Sequence, residues 1–241
     1  MNATLEQITV GQLVAERPSR ARVFEKLGID YCCGGKKPLG EACRDKKLEP
    51  VQVIAAIRAA DEQAAPEEKN WLSASLTELA DHIEETHHAY LKAELPRLEF
   101  MTRKVAAVHG PQHPELVELQ QVFAGFKATL ESHMMKEERI LFPLCRQLDA
   151  AEEEGGRPGA FHCGSINNPI RVMVMEHEHA GDALGRMREL TNGFTAPEDA
   201  CNTFKAMLAG LAEVEADMHR HVHKENEILF PKAVEAEAKL R

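Results

Sequence analysis

Aromatic residues are scarce in this 241-residue chain, at 5%, with one Trp and two Tyr. No apolar run approaches the roughly 18 residues a membrane-spanning helix needs. The N-terminal stretch lacks a continuous apolar core, so no signal peptide is expected. Net positive charge is absent too. The formal charge is −10, which argues against nucleic acid or an anionic membrane as the main partner. The six cysteines (Cys32, Cys33, Cys43, Cys145, Cys163 and Cys201) form no regular disulfide framework, and a reducing cytoplasm is the expected setting.

Long stretches also lack Gly and Pro. With Leu, Ala, Glu, Lys and Met abundant, that balance favours an all-helical protein. Residues 1–65 read as short helices divided by breakers, forming a small helical N-terminal domain. Thr9 to Gln12 suits a helix start, Gly28 a helix end, and Pro38 and Pro50 two further starts. The charged stretch from Asp61 to Asn70 reads as a linker.

Residues 71–241 carry four long helical patterns with short connections, an antiparallel four-helix bundle. Ser75-Leu-Thr-Glu78 opens the first, which runs to about His109; the second runs to about Glu154. Asn168-Pro169 opens the third, which ends near Gly193. Thr195-Ala-Pro-Glu198 is expected to open the fourth.

The second and fourth helices share a phrase. His133-Met-Met-Lys-Glu137-Glu-Arg-Ile-Leu-Phe-Pro143 answers His221-Val-His-Lys-Glu225-Asn-Glu-Ile-Leu-Phe-Pro231 at one constant offset. The spacing of three and four residues that leads into each His-x-x-x-Glu is apolar. Along the second helix it reads Leu116, Leu119, Phe123, Phe126, Leu130, His133, Glu137, Ile140. Along the fourth it reads Phe204, Met207, Leu211, Val214, Met218, His221, Glu225, Ile228. Both seams point inward. Carboxylates buried there without a partner would cost several kcal/mol each. A metal removes that cost, and His and Glu at i and i+4 reach a common ion. The alternative, buried His–Glu pairs that only cap the core, leaves the repetition unexplained.

Two more ligands are expected from the first and third helices. Periodicity leaves His87 and His88 open on the first, and His177 and His179 on the third. Imidazoles and carboxylates without thiolate suit iron or manganese, with zinc possible. The Phe-Pro pairs read as structural, each Pro ending or kinking its helix. Lys136 and Lys224 are expected to face solvent, Met134 and Met135 to fill the core, and His219 and His223 to be solvated neighbours.

The Asp30-Tyr-Cys-Cys-Gly-Gly35 loop, the His133-Met-Met-Lys-Glu137 phrase, Glu178-His179 and His221-x-x-x-Glu225-Asn226 together resemble the RIC (repair of iron centres) family of hemerythrin-like di-iron proteins. The resemblance covers nearly the whole chain. It implies His88 and His179 as the remaining ligands, beside His133, Glu137, His221 and Glu225, which leaves His87 and His177 as solvated neighbours. It also implies two non-haem iron ions bridged by the two carboxylates and by an oxide or hydroxide. The implied function is repair of iron–sulfur clusters damaged by oxidative or nitrosative stress, by supplying iron in the bacterial cytoplasm. Damaged iron–sulfur proteins are the expected partners, nitric oxide or O2 a small ligand, and a homodimer is compatible. A nitric oxide reductase and a hemerythrin-type O2 or NO carrier or sensor are the alternatives. Cys32 and Cys33 are candidates for thiol or metal handling, with Lys36 and Lys37 expected to favour a thiolate. A purely structural turn is the equal alternative for that loop.

Overall fold

A computed structural model describes residues 5–63, 70–156, 159 and 161–240. Among the described residues the regular elements are all helices, with one isolated bridge between Thr9 and Pro38. Four short helices come first: α1 (Val10–Glu16), α2 (Ala21–Leu27), α3 (Leu39–Asp45) and α4 (Pro50–Gln63). The bundle helices follow as α5 (Leu76–His82), α6 (Ala89–His109), α7 (Glu115–Lys136), α8 (Phe142–Glu153), α9 (Asn167–Leu190), α10 (Asn202–His223) and α11 (Phe230–Leu240). The gaps between α5 and α6, α7 and α8, and α10 and α11 are single π-helical stretches: Ile83–His88, Glu137–Leu141 and Lys224–Leu229.

The local signals act as their chemistry requires. The Gln12 N–H donates to Thr9 Oγ1 at 3.2 Å. Gly28 ends α2 at φ +65°, a conformation that penalises a Cβ. At α5 the capping box is reciprocal: the Glu78 N–H donates to Ser75 Oγ at 3.1 Å, and the Ser75 N–H to Glu78 Oε2 at 3.0 Å. Asp149 accepts from the Leu76 and Thr77 N–H groups at 3.2 and 2.7 Å, which satisfies two more orphan donors.

Some expectations are corrected. Thr195 to Glu198 opens no helix; the fourth bundle helix starts at Asn202. Asp61 to Gln63 finish α4 instead of starting a linker, and residues 64–69 of that stretch lie outside the described residues. Pro143 and Pro231 do not end their helices. Each is the second residue of an α segment that continues directly from a π stretch.

The described residues divide into two compact units. One comprises residues 1–80, 145–159 and 219–241; the other comprises 81–144 and 160–218. In the first, Val10, Leu13, Phe24, Tyr31, Leu39, Ile54 and Ile57 make a core at 0–1% exposure. Arg20 locks α4 against it through two bonds to the Asp61 carboxylate, each 2.9 Å. The same unit holds the end of α10 and the π stretch after it. There His223 Nε2 lies 2.8 Å from the Gly11 carbonyl, and Tyr31 meets the His223 ring edge-on at 5.4 Å. In the second unit Leu91, Leu95 and Leu98 of α6, Leu119, Phe123 and Phe126 of α7, and Met207, Leu211 and Val214 of α10 are buried, as the seams require.

Candidate metal centre

The π stretches set the level of the site. In each, the backbone N–H reaches back five residues: Ala89 to the Glu84 carbonyl, Phe142 to Glu137 and Phe230 to Glu225. The extra residue shifts the helical phase. Ile140, expected to continue the seam, is 36% exposed, and Leu141 is buried in its place. Such bulges recur at functional positions because they re-aim side chains without ending the helix.

In the second unit, His88, His133, Glu137 and His177 are all buried. The two oxygens of Glu137 serve different imidazoles. Oε2 lies 3.3 Å from His88 Nε2, and Oε1 lies 3.2 Å from His133 Nε2. His177 Nε2 stands 3.1 Å from His133 Nε2, a separation at which the two cannot both carry protons without repulsion. In the first unit, His221 Nε2 lies 3.1 Å from Glu225 Oε1, and both side chains are fully buried. These donors fall into two sets of four, His88/Glu137/His221/Glu225 and His133/Glu137/His177/Glu225, with ligand atoms inside each set within 4.8 Å of one another. The two sets share both carboxylates.

Whether a metal fits is answered by the other ring nitrogens. His88 Nδ1 is 2.8 Å from Glu138 Oε1, and His133 Nδ1 is 2.9 Å from Glu176 Oε2. A carboxylate at Nδ1 fixes the proton there and leaves the Nε2 lone pair for an ion. Each outer carboxylate is held by a lysine: Lys92 donates to Glu138 at 2.6 Å, and Lys136 pairs with Glu176. Burial works against the charge of both acids. Lys92 and His88 outweigh it for Glu138, and Lys136 and His133 for Glu176, so both carboxyls stay below their ordinary range. The donor set of nitrogen and oxygen, without sulfur, suits iron or manganese, with zinc compatible. The cluster can hold a di-iron centre, His88, His133, His177, His221, Glu137 and Glu225 being the residues that would hold it.

Several sequence expectations change here. His179 is exposed and belongs to neither set; His177, taken for a solvated neighbour, is buried at 1% and stands in its place. Lys136, its side chain 30% exposed, is also engaged by Glu176. His87 and His223 are buried as well, His87 with its Nδ1 2.8 Å from Asp217. Burial pushes the His223 pKa down to about 4. Met135 is 44% exposed, whereas Met134 is core. Phe142 is more than a spacer, since its ring stacks on His88 at 5.6 Å. Glu138 and Glu176 were missed altogether. Their one signal in sequence is an acid beside a ligand, which resembles any solvated charge.

Beside His133 and His177 lies a cavity of about 340 Å³, walled largely by Ala128, Leu130, Met175 and Met218, with His179 at its lining. A space of this kind admits a small, weakly polar ligand.

The Asp30–Gly35 loop is organised by one carboxylate. Asp30 accepts from the N–H groups of Cys32, Cys33 and Gly34 at 2.9, 3.1 and 2.9 Å. Cys32 is buried and Cys33 exposed. The expected lysine effect on Cys32 does not hold. Its contact with the Cys33 sulfur, burial and the Asp30 carboxylate push its pKa well up, and Lys37 pairs with Asp45 instead. Asn226, one residue past Glu225, donates to the Cys32 carbonyl at 3.4 Å. Glu227 fills the space where a Cβ on Gly11 or Gly35 would sit, and at Gly35 the Tyr31 carbonyl, 2.7 Å away, would clash as well.

Residues 6–61 match the ScdA_N family, a domain of unknown function, and residues 79–233 match the hemerythrin HHE cation binding domain. The chain is 37% identical over 95% of its length, and 97% of the relative's, to the iron-sulfur cluster repair protein YtfE of Escherichia coli O157:H7. The protein of the same name from Escherichia coli O81 (strain ED1a) matches at the same identity and coverage. That from Escherichia fergusonii matches at 36% over the same shares. The chain therefore belongs to the hemerythrin HHE cation-binding family, with an ScdA_N match ahead of that domain, and is similar over nearly its whole length to the YtfE proteins.

Proposed function

We propose that this protein carries two iron ions and supplies iron to iron–sulfur clusters damaged by oxidative or nitrosative stress. The observation that carries the proposal is the pair of donor sets sharing Glu137 and Glu225. Four imidazoles and two carboxylates leave a di-iron(II) pair with net positive charge. Glu137 and Glu225, which belong to both sets, would be the residues that hold either ion. Bound iron would supply transferable Fe(II) and a redox couple. The chain's own residues orient and neutralise. Glu138 and Glu176 hold the protons at His88 and His133 Nδ1, Lys92 and Lys136 offset those acids, and Phe142 fixes the His88 ring.

The names of the relatives support this reading, and damaged iron–sulfur proteins are the proposed clients. The proposed domains are residues 1–65 and 71–241. Among the described residues no helix is long and apolar enough to cross a membrane, and the cytoplasm is the proposed setting. Cys33, exposed on the Asp30 loop, is the thiol proposed to meet a client, with Cys32 buried behind it. A second reading, binding or reduction of nitric oxide, draws support from the cavity beside His133 and His177.

The test is transfer. Iron-loaded protein mixed with a peroxide-damaged or nitrosylated iron–sulfur enzyme should restore that enzyme's activity as its own iron falls. Full retention of iron with no restoration overturns the donor reading. Stoichiometric zinc in protein isolated from its native host overturns the di-iron reading.

A further inference from the structure

Within the second unit, where α6 ends and α10 begins, lies a group of titratable side chains that the metal centre does not use. Cys201 is exposed and immediately precedes α10, a helix of 22 residues. Its Sγ is 3.3 Å from Nε2 of His109, the last residue of α6. The His109 ring is steadied by Phe204, 5.3 Å away, which is itself 3% exposed. His113 also packs edge-on against Phe204 at 5.8 Å and pairs with Asp199 at 3.1 Å. A thiol, an imidazole within reach of it, and an aromatic ring that fixes the imidazole form a nucleophile–base pair.

We propose that Cys201 and His109 form a reactive thiolate pair, a modification site that takes up a low-molecular-weight thiol as a mixed disulfide. The Cys201 thiolate attacks one sulfur of a small disulfide such as oxidised glutathione. A Cys201–glutathione S–S bond forms, the disulfide's own S–S bond breaks, and glutathione leaves as thiolate and takes a proton from solvent. One disulfide is exchanged for another, so no further oxidant is required.

The electrostatics agree. The first backbone N–H groups of α10, above all that of Phe204, and the His109 ring bring the Cys201 pKa down to about 7. Attacking thiols work best when their pKa lies near the ambient pH. At pH 7 about half of such a thiol is ionised, against about 3% of an ordinary one with pKa ~8.5. The gain in thiolate is therefore about 15-fold, and lower intrinsic nucleophilicity returns about 5-fold of it, so the net advantage is about 3-fold. The position of the pH midpoint discriminates better than the rate.

The full chain is treated with iodoacetamide across a pH series, and the Cys201 peptide is followed by mass spectrometry. A second sample is exposed to oxidised glutathione at pH 7 and its first modified cysteine is mapped. The expected results are an alkylation midpoint near pH 7 and glutathione first on Cys201. His109→Gln should raise the midpoint by about half a unit or more. A wild-type midpoint above pH 8, or glutathione appearing first on Cys33, overturns the site. A midpoint near 7 that His109→Gln leaves in place overturns the pair. The wild-type profile decides the matter even if the variant fails to fold.

Discussion

The choice between His177 and His179 gives the sharpest test of the candidate centre. His177 is 1% exposed, with Nε2 3.1 Å from His133 Nε2, whereas His179 is exposed two residues on. Replacing His177 by Ala leaves its donor set with His133, Glu137 and Glu225. Loss of a partner behind a ligand lowers metal affinity by roughly 10- to 100-fold, so loss of a donor itself should exceed about 100-fold. That corresponds to more than about 2.7 kcal/mol. The set formed by His88, Glu137, His221 and Glu225 keeps all its members, so the expected outcome is selective weakening of one ion of the pair. The assay is chelator competition on folded protein, with metal counted per chain and far-UV circular dichroism as the folding control. His179→Ala should change the affinity less than about two-fold, as surface substitutions generally do. If His179→Ala empties a site while His177→Ala retains both ions, helical phase has been misread and the donor assignment on α9 is wrong.

Glu176→Gln and Glu138→Gln should each speed metal loss to a chelator and weaken affinity by about 10- to 100-fold, because the Nδ1 proton of His133 or His88 loses its carboxylate; unchanged release kinetics would contradict the proposed tautomers. A Cβ on Gly11 would lie 2.5 Å from Glu227 Cδ, and one on Gly35 would lie 2.5 Å from Glu227 Oε1 and 2.7 Å from the Tyr31 carbonyl. Both alanine variants should lose about 1–3 kcal/mol in denaturant titrations. Adding Glu227→Ala should rescue Gly11→Ala, whose clash is with a side chain, but not Gly35→Ala, whose clash includes backbone; equal rescue would refute the distinction. His223 has its pKa depressed to about 4 by burial, so the unfolded chain, titrating near 6.5, takes up the proton first. Its contribution, of order 3 kcal/mol, should be complete above about pH 6.5 and lost as pH falls toward 4. His223→Gln should flatten stability against pH across that window, and an unaltered slope would count against burial as the cause.

How much of this was legible in sequence depends on whether helical phase is regular. His133/Glu137 and His221/Glu225 interrupt apolar seams at a fixed spacing, and the residues before them are buried as that spacing demands. Helix α9 defeats the same reasoning because two of its faces look apolar. Ile170 and Met173 are buried and lead to His177; Val172 and Met175, 40% and 48% exposed, point toward His179 without being core. The resemblance in sequence favoured His179 through the pair Glu178-His179, and burial favours its neighbour. The loop at Cys32 was misread for another reason. Counting nearby lysines ignored which partners those lysines have, and Lys37 has Asp45.

The repeated Phe-Pro pairs join these points. Pro143 cannot donate to the carbonyl four residues back, and in a regular helix its ring would press on that carbonyl. The π stretch before it relieves this, as the Phe142 N–H reaches Glu137, five residues behind. With the extra residue in the turn, two consecutive acids address one imidazole from opposite ends: Glu137 faces His88 Nε2 at 3.3 Å, and Glu138 faces its Nδ1 at 2.8 Å. The phase slip that hid Leu141 from the sequence pattern therefore accompanies the placement, side by side, of a carboxylate common to both donor sets and one that holds the far end of an imidazole. In the second copy the same stretch, followed by Pro231, carries Glu225, the other carboxylate common to both donor sets, but position 226 is Asn and turns to the Cys32 carbonyl. One half of the repeat thus spends its second polar residue on tuning a ligand. The other half spends it on holding the cysteine loop, and that divergence between otherwise matching phrases sets the Cys32 backbone against the residue next to Glu225.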